Sequence, residues 1–69
     1  MEKGWVNVFT ANEEFLVDIA KELLQENNIE SVVINHKDSA LASFGDVELY
    51  VREEDEKQAA TILDQLKKG

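Results

Sequence analysis

His36, Lys37, Asp38 and Ser39 stand in a row at the start of "HKDSALASFGD", residues 36–46. His, Asp and Ser are the residue types of a hydrolase triad. Adjacency on one loop, however, does not supply the geometry in which a base orients a nucleophile, and no oxyanion-hole pattern accompanies them. His36 is the only histidine and there is no cysteine. Even with Asp38 or Asp46 beside it, a single imidazole does not make a metal motif, and the spacing favours a histidine at a surface or strand end. The acidic run "EEDE" at 53–56 lacks the ligand spacing and central glycine of a calcium loop. Neither GxGxxG nor GxxxxGK[ST] occurs, the three glycines standing apart at 4, 45 and 69. The expectation is a protein without catalytic residues, metal or cofactor.

Charge narrows the partners. Fifteen acidic against seven basic residues leave a net charge of −8. Nucleic-acid affinity comes largely from Lys and Arg displacing counterions, so a phosphate backbone is a poor match. Anionic membranes are disfavoured on the same ground. No apolar run approaches a membrane span, and the opening "MEKGWVNVFT" lacks the basic and long apolar regions of a signal peptide. A cytoplasmic location is the expectation. At 69 residues without cysteine, the chain reads as a single domain over 1–69, held by packing or by a partner subunit.

The elements that position these residues can be read from periodicity. "WVNVFT", 5–10, alternates as a strand, with Val6 and Val8 on one side and Trp5, Asn7 and Phe9 on the other. A helix follows, with Thr10 or Asn12 as cap and Glu13 and Glu14 in its first turn. Its apolar face combines Phe15, Ile19 and Leu23 with Leu16, Ala20 and Leu24, opposite Asp18, Lys21, Glu22 and Gln25. Asn27 and Asn28 tolerate left-handed backbone and mark its end, with Ile29 packing back. A second strand over 31–35 places Val32 and Ile34 on one face and Val33 on the other. The third, 47–52, sets Val47, Leu49 and Val51 against Glu48, Tyr50 and Arg52. A last helix starts near Asp55, with Gln58 at capping-box spacing, and carries Ala59, Ile62, Leu63 and Leu66 as its apolar stripe.

The order β-α-β-β-α, with a right-handed crossover between strands one and two, gives an α+β fold. It is a ferredoxin-like plait cut short of its fourth strand: a three-stranded sheet of order 1-3-2 with both helices on one face. The missing strand leaves the outer edge of strand one unpaired. The face away from the helices is expected to carry Trp5, Phe9, Val33 and Tyr50, diluted by Asn7, Asn35, Glu48 and Arg52. Aromatics concentrated on a small open face ask for cover, and a twofold dimer is the commonest way to provide it. Trp5, Phe9, Val33, Tyr50 and Arg52 are therefore the candidate partner-binding residues. Bases stack on such faces in some RNA-binding sheets, but here only Arg52 and Lys3 would supply positive charge, against Glu48.

In the long loop, His36, Lys37, Asp38 and Ser39 are the candidate contacts, because connections on rigid scaffolds often carry function. Leu41 and Phe44 are expected to fold back as anchors, with Gly45 turning the chain into strand three.

The segments "GWVNVFTANEEFLVDIAKELLQENNIESVVINHKDSA" and "FGDVELYVREEDEKQAATIL" resemble the small bacterial family called "putative prokaryotic signal-transducing protein". "KDSA" in the loop and G-x-V-E-L-Y-V at 45–51 are the most specific parts. The resemblance implies a fold like that of the PII nitrogen-regulatory proteins, trimers that bind ATP or ADP between subunits and grip partners with a long loop after strand two. Residues 36–45 sit where that loop would be. Taken with the open face, the expected function is a non-enzymatic regulatory or adaptor module that self-associates or binds a protein partner through that face and the 36–45 loop. A PII-style sensor of a nucleotide or anionic metabolite is the alternative. Only Lys37 and Arg52 are placed to meet such an anion, so nucleotide binding does not transfer residue by residue.

Overall fold

The alternating "WVNVFTA" forms β1, Trp5–Ala11, and the chain continues through α1, Glu14–Glu26, β2, Ser31–Asn35, β3, Val47–Arg52, a 3-10 turn, Glu53–Asp55, and α2, Glu56–Lys67. The computed structural model describes residues 4–36 and 47–67. β3 lies between β1 and β2 and is antiparallel to both. The sheet order 1-3-2 and the β-α-β-β-α succession are those expected of the truncated plait.

β3 supplies the middle of the core. Val47, Leu49 and Val51 are fully buried together with Val17, Ala20 and Leu24 of α1 and Ala59 and Leu63 of α2. Both helices thus cover the β3 face that bears these three residues. Ile62 and Leu66 flank the cluster, so the α2 stripe is the one periodicity indicates.

The α1 stripe differs from expectation. Its buried residues are Val17, Ala20 and Leu24, whereas Phe15, Leu16 and Ile19 are exposed. At about 100° per residue, the apolar arc from Phe15 round to Val17 spans roughly 200° of the helix, about twice what one helix can press onto a sheet. One side of it must face outward. Val17, Ala20 and Leu24 face the core, and the row Phe15, Ile19, Leu23 is turned away from its centre.

The ends of α1 depart from expectation at one terminus and agree at the other. The residue before the helix is an extended Glu13 whose side chain makes no capping bond, and Thr10 remains in β1, donating to Asn7 Oδ1 at 3.2 Å. At the C-terminus Asn28 has φ 63°. The Ile29 N–H donates to Leu24 O at 2.9 Å and the Asn28 N–H to Gln25 O at 3.0 Å, the paired bonds of a Schellman motif. Ile29 is only 4% exposed and joins Leu24 in the core, closing the helix end.

Two face assignments must be corrected. In β2, Val33 lies opposite Leu49 on the helix-covered side, while Val32 and Ile34 lie opposite Tyr50 and Glu48 on the open side. The cause is upstream. Ile29 is locked into the core by the helix end, and alternate residues 31, 33 and 35 keep that side. In β1 the register shifts between Asn7 and Phe9, so Val6, Phe9 and Ala11 stand across from Val51, Leu49 and Val47. Phe9 and the extra residue Val8 both pack against the core. A β-bulge explains this: one inserted residue reverses the phase of everything beyond it. Asn7 holds the irregularity in place, its Nδ2 donating to Phe9 O at 3.2 Å and to Leu49 O at 3.3 Å.

Candidate interaction surface on the open sheet face

β3 presents Glu48, Tyr50 and Arg52 away from the helices. β1 adds Trp5, Asn7 and Thr10 across from Arg52, Tyr50 and Glu48, and β2 adds Val32 and Ile34. Trp5, Val32, Ile34 and Tyr50 are each half-buried. Of the partner-binding residues expected from sequence, the structure brings Trp5, Tyr50 and Arg52 together on this face. Phe9 and Val33 are on the other. Val32, Ile34 and Glu30 take their place, and the parity running from Ile29 is the signal that points to them.

Two polar clusters bracket the apolar middle. At one end the Arg52 guanidinium carbon lies 5.3 Å from the Trp5 ring centroid, within cation–π range. An Arg52 terminal nitrogen is 2.6 Å from Glu30 Oε1, with both side chains about half exposed. At the other end Glu48 Oε1 contacts His36 Nε2 at 2.8 Å and accepts the Tyr50 hydroxyl at 3.3 Å. Burial holds the Tyr50 phenol above its usual pKa of 10.0, and the charge of Glu48 and its hydrogen bond add to the shift. Glu30 thus pairs with Arg52, and Glu48 meets both His36 and the Tyr50 hydroxyl.

Beside the first cluster, Gly4, Trp5, Arg52, Glu53 and Glu54 line an open hollow of about 340 Å³. Gly4 has φ 95°, a conformation that strains any residue with a Cβ, and its carbonyl accepts the Glu53 N–H at 2.6 Å. Arg52 is the basic residue of this hollow, and it is already engaged by Glu30, with two carboxylates on the rim. A polyanion such as a nucleotide phosphate would meet more negative than positive charge here.

His36 is exposed and engaged with Glu48, a partner that loop sequence alone did not suggest. Lys37, Asp38, Ser39, Leu41, Phe44 and Gly45 lie outside the described residues. Among the described residues no group of three or more His, Cys, Asp or Glu side chains is arranged to hold a metal ion. Nor is any described helix long and apolar enough to cross a membrane.

Comparison with known proteins adds one finding. A family model described as "putative prokaryotic signal transducing protein" matches residues 5–67. Neither the curated proteins nor the solved structures give a match.

Proposed function

The chain belongs to that family, and from this premise we propose that it is a non-enzymatic cytoplasmic adaptor in signal transduction that associates through its open sheet face. The observation that carries this reading is the set Trp5, Val32, Ile34 and Tyr50, an apolar strip on the side of the sheet away from both helices, with Arg52 and His36 at its ends. Aromatics and Arg dominate interface energies when they are desolvated together.

A second copy of the chain is the proposed occupant, arranged as a twofold dimer. The chain is strongly acidic overall, yet on this face Glu30 is ion-paired with Arg52, and Glu48 is hydrogen-bonded by the Tyr50 hydroxyl and in contact with His36. Two such faces can meet with less repulsion than the more acidic surfaces would impose. A PII-style sensor of an anionic metabolite is less well supported, because Arg52 is occupied and rimmed by Glu53 and Glu54.

Sedimentation and light scattering over a wide concentration range test the proposal. Wild type is expected to shift toward dimer, and Tyr50→Ala and Trp5→Ala to remain monomeric with much smaller changes in melting temperature. A wild-type chain monomeric throughout that range, or a dimer indifferent to both substitutions, would overturn it. A millimolar nucleotide that raised the melting temperature would favour the sensor instead.

A further inference from the structure

We propose that the outward row of α1 docks a basic amphipathic segment of a partner protein, on the layer opposite the open sheet face. The exposed large apolar side chains among the described residues are Phe15, Leu16 and Ile19, at 60, 40 and 44% exposure, and all three lie on this one helix. Leu23, half-buried, extends the row by one turn. Apolar side chains scattered singly need no explanation, whereas a contiguous stripe on one helix marks a contact surface.

Charge selects the occupant. Ile19, Glu22, Leu23 and Glu26 line an open hollow of about 210 Å³. Glu22 and Glu26 are four residues apart, so their carboxylates repel one another on the same face. The last turn of α1 contains no basic residue, and Glu26 lies near the negative end of the helix dipole. A hollow with two apolar walls and two carboxylates suits a Lys or Arg side chain, its methylenes against Ile19 and Leu23 and its cationic head between the acids. Apolar residues at helical spacing on the same segment would cover Phe15 and Leu16, in the helix-on-groove manner. A second copy would bring like carboxylates together, and an anionic bilayer would be repelled. The sheet face, where Arg52 pairs with Glu30, and this helix face are thus suited to different partners and can be occupied at once.

The test uses the full chain and two synthetic amphipathic helical peptides, one of Leu and Lys and one of Leu and Glu. The Leu/Lys peptide is expected to bind, shifting the methyl resonances of Ile19 and Leu23, with affinity that falls as salt is raised. The Leu/Glu peptide is expected not to bind. Ile19→Asp, and Glu22→Lys with Glu26→Lys, should each weaken binding by roughly tenfold, because exposed ion pairs and a modest apolar contact are lost. Circular dichroism should be unchanged, and Glu22→Gln with Glu26→Gln provides a milder variant should the charge reversal unfold the helix. Glu53→Lys with Glu54→Lys, remote acids, should leave affinity within twofold. Binding that ignores Ile19→Asp, or that the remote variant weakens equally, would overturn the proposal. So would nuclear Overhauser contacts in the free chain between Phe15 or Ile19 and Leu41 or Phe44, self-association abolished by Ile19→Asp, or an Ile19-dependent affinity for anionic vesicles.

Discussion

Arg52 lies over the Trp5 ring at 5.3 Å while its guanidinium reaches Glu30 at 2.6 Å. One side chain thus ties the start of β1, the end of β3 and the segment leading into β2. Removing it should be felt beyond its own strand. An exposed cation–π contact contributes about 0.5–1 kcal/mol and an exposed ion pair less than about 1 kcal/mol. Arg52→Ala is therefore expected to lower stability by about 1 kcal/mol, a fall of roughly 4–8 °C in melting temperature for a chain of this size. Arg52→Lys should recover only part, since Lys cannot match the planar stacking and fork of Arg. Denaturant titration at low and high salt checks this. A loss for Arg52→Ala that high salt fails to reduce would assign no part of it to the Glu30 pair.

Tyr50 should titrate late. Burial first, and then the charge and hydrogen bond of Glu48, keep its phenol protonated beyond the usual 10.0. In the unfolded chain the proton leaves near that usual value. The stability associated with this difference is complete below about pH 10 and is lost as pH rises through the higher folded value. Phenolate absorbance followed against pH should give a folded midpoint above 10, and unfolding should become easier above about pH 10. Glu48→Gln removes the charge but leaves the burial, so the midpoint should fall part of the way back. An unchanged midpoint would mean that Glu48 has no hold on the phenol.

Asn28 supplies the left-handed step that ends α1. A residue with a β-carbon and no compensating amide is strained there by about 1–2 kcal/mol. Asn28→Ala should destabilise by about 1 kcal/mol, whereas Asn28→Gly should be neutral or slightly stabilising because glycine adopts positive φ freely. Thermal melts of the two variants compare directly. Equal losses would point to the Asn28 side chain, not to its backbone conformation.

What sequence makes legible here is the order of elements, and what it hides is their phase. β3 alternates without ambiguity, so Val47, Leu49 and Val51 could be placed in the core beforehand. The stop at Asn27 and Asn28 followed from residue type, and Ile29 closed it as its apolar character suggests. "SVVIN", by contrast, is apolar at three consecutive positions, and such a strand reads equally well on either face. Its phase is set by Ile29, outside the strand. In β1 the bulge after Asn7 reversed a clean alternation and turned Phe9 inward. α1 was apolar over too wide an arc for its sequence to say which half would be buried. Trp5, Tyr50 and Arg52 were identifiable because they precede the bulge or sit on β3. Glu48 as the shared partner of His36 and Tyr50 depends on a juxtaposition across a loop, which spacing does not reveal.

The reversed phase of β2 makes adjacent residues respond oppositely to the same change. Val33 stands across from Leu49 and packs against the core, whereas Val32 stands across from Tyr50 on the open face. Val33→Asp would set a carboxylate against apolar neighbours with no cation opposite. Charges in that position cost several kcal/mol unless they are neutralised. A chain of this size has only about 3–5 kcal/mol in reserve. Val33→Asp is expected to unfold it or leave it only marginally folded. Val32→Asp, at a half-buried strand position, should keep the native circular dichroism, lose about 1–2 kcal/mol, and abolish the self-association proposed for the sheet face. Measuring folding and mass on both variants separates the two faces. The opposite pattern, with Val32→Asp unfolded and Val33→Asp folded, would mean that β2 pairs one residue out of the register described and that the open face carries Val33 after all.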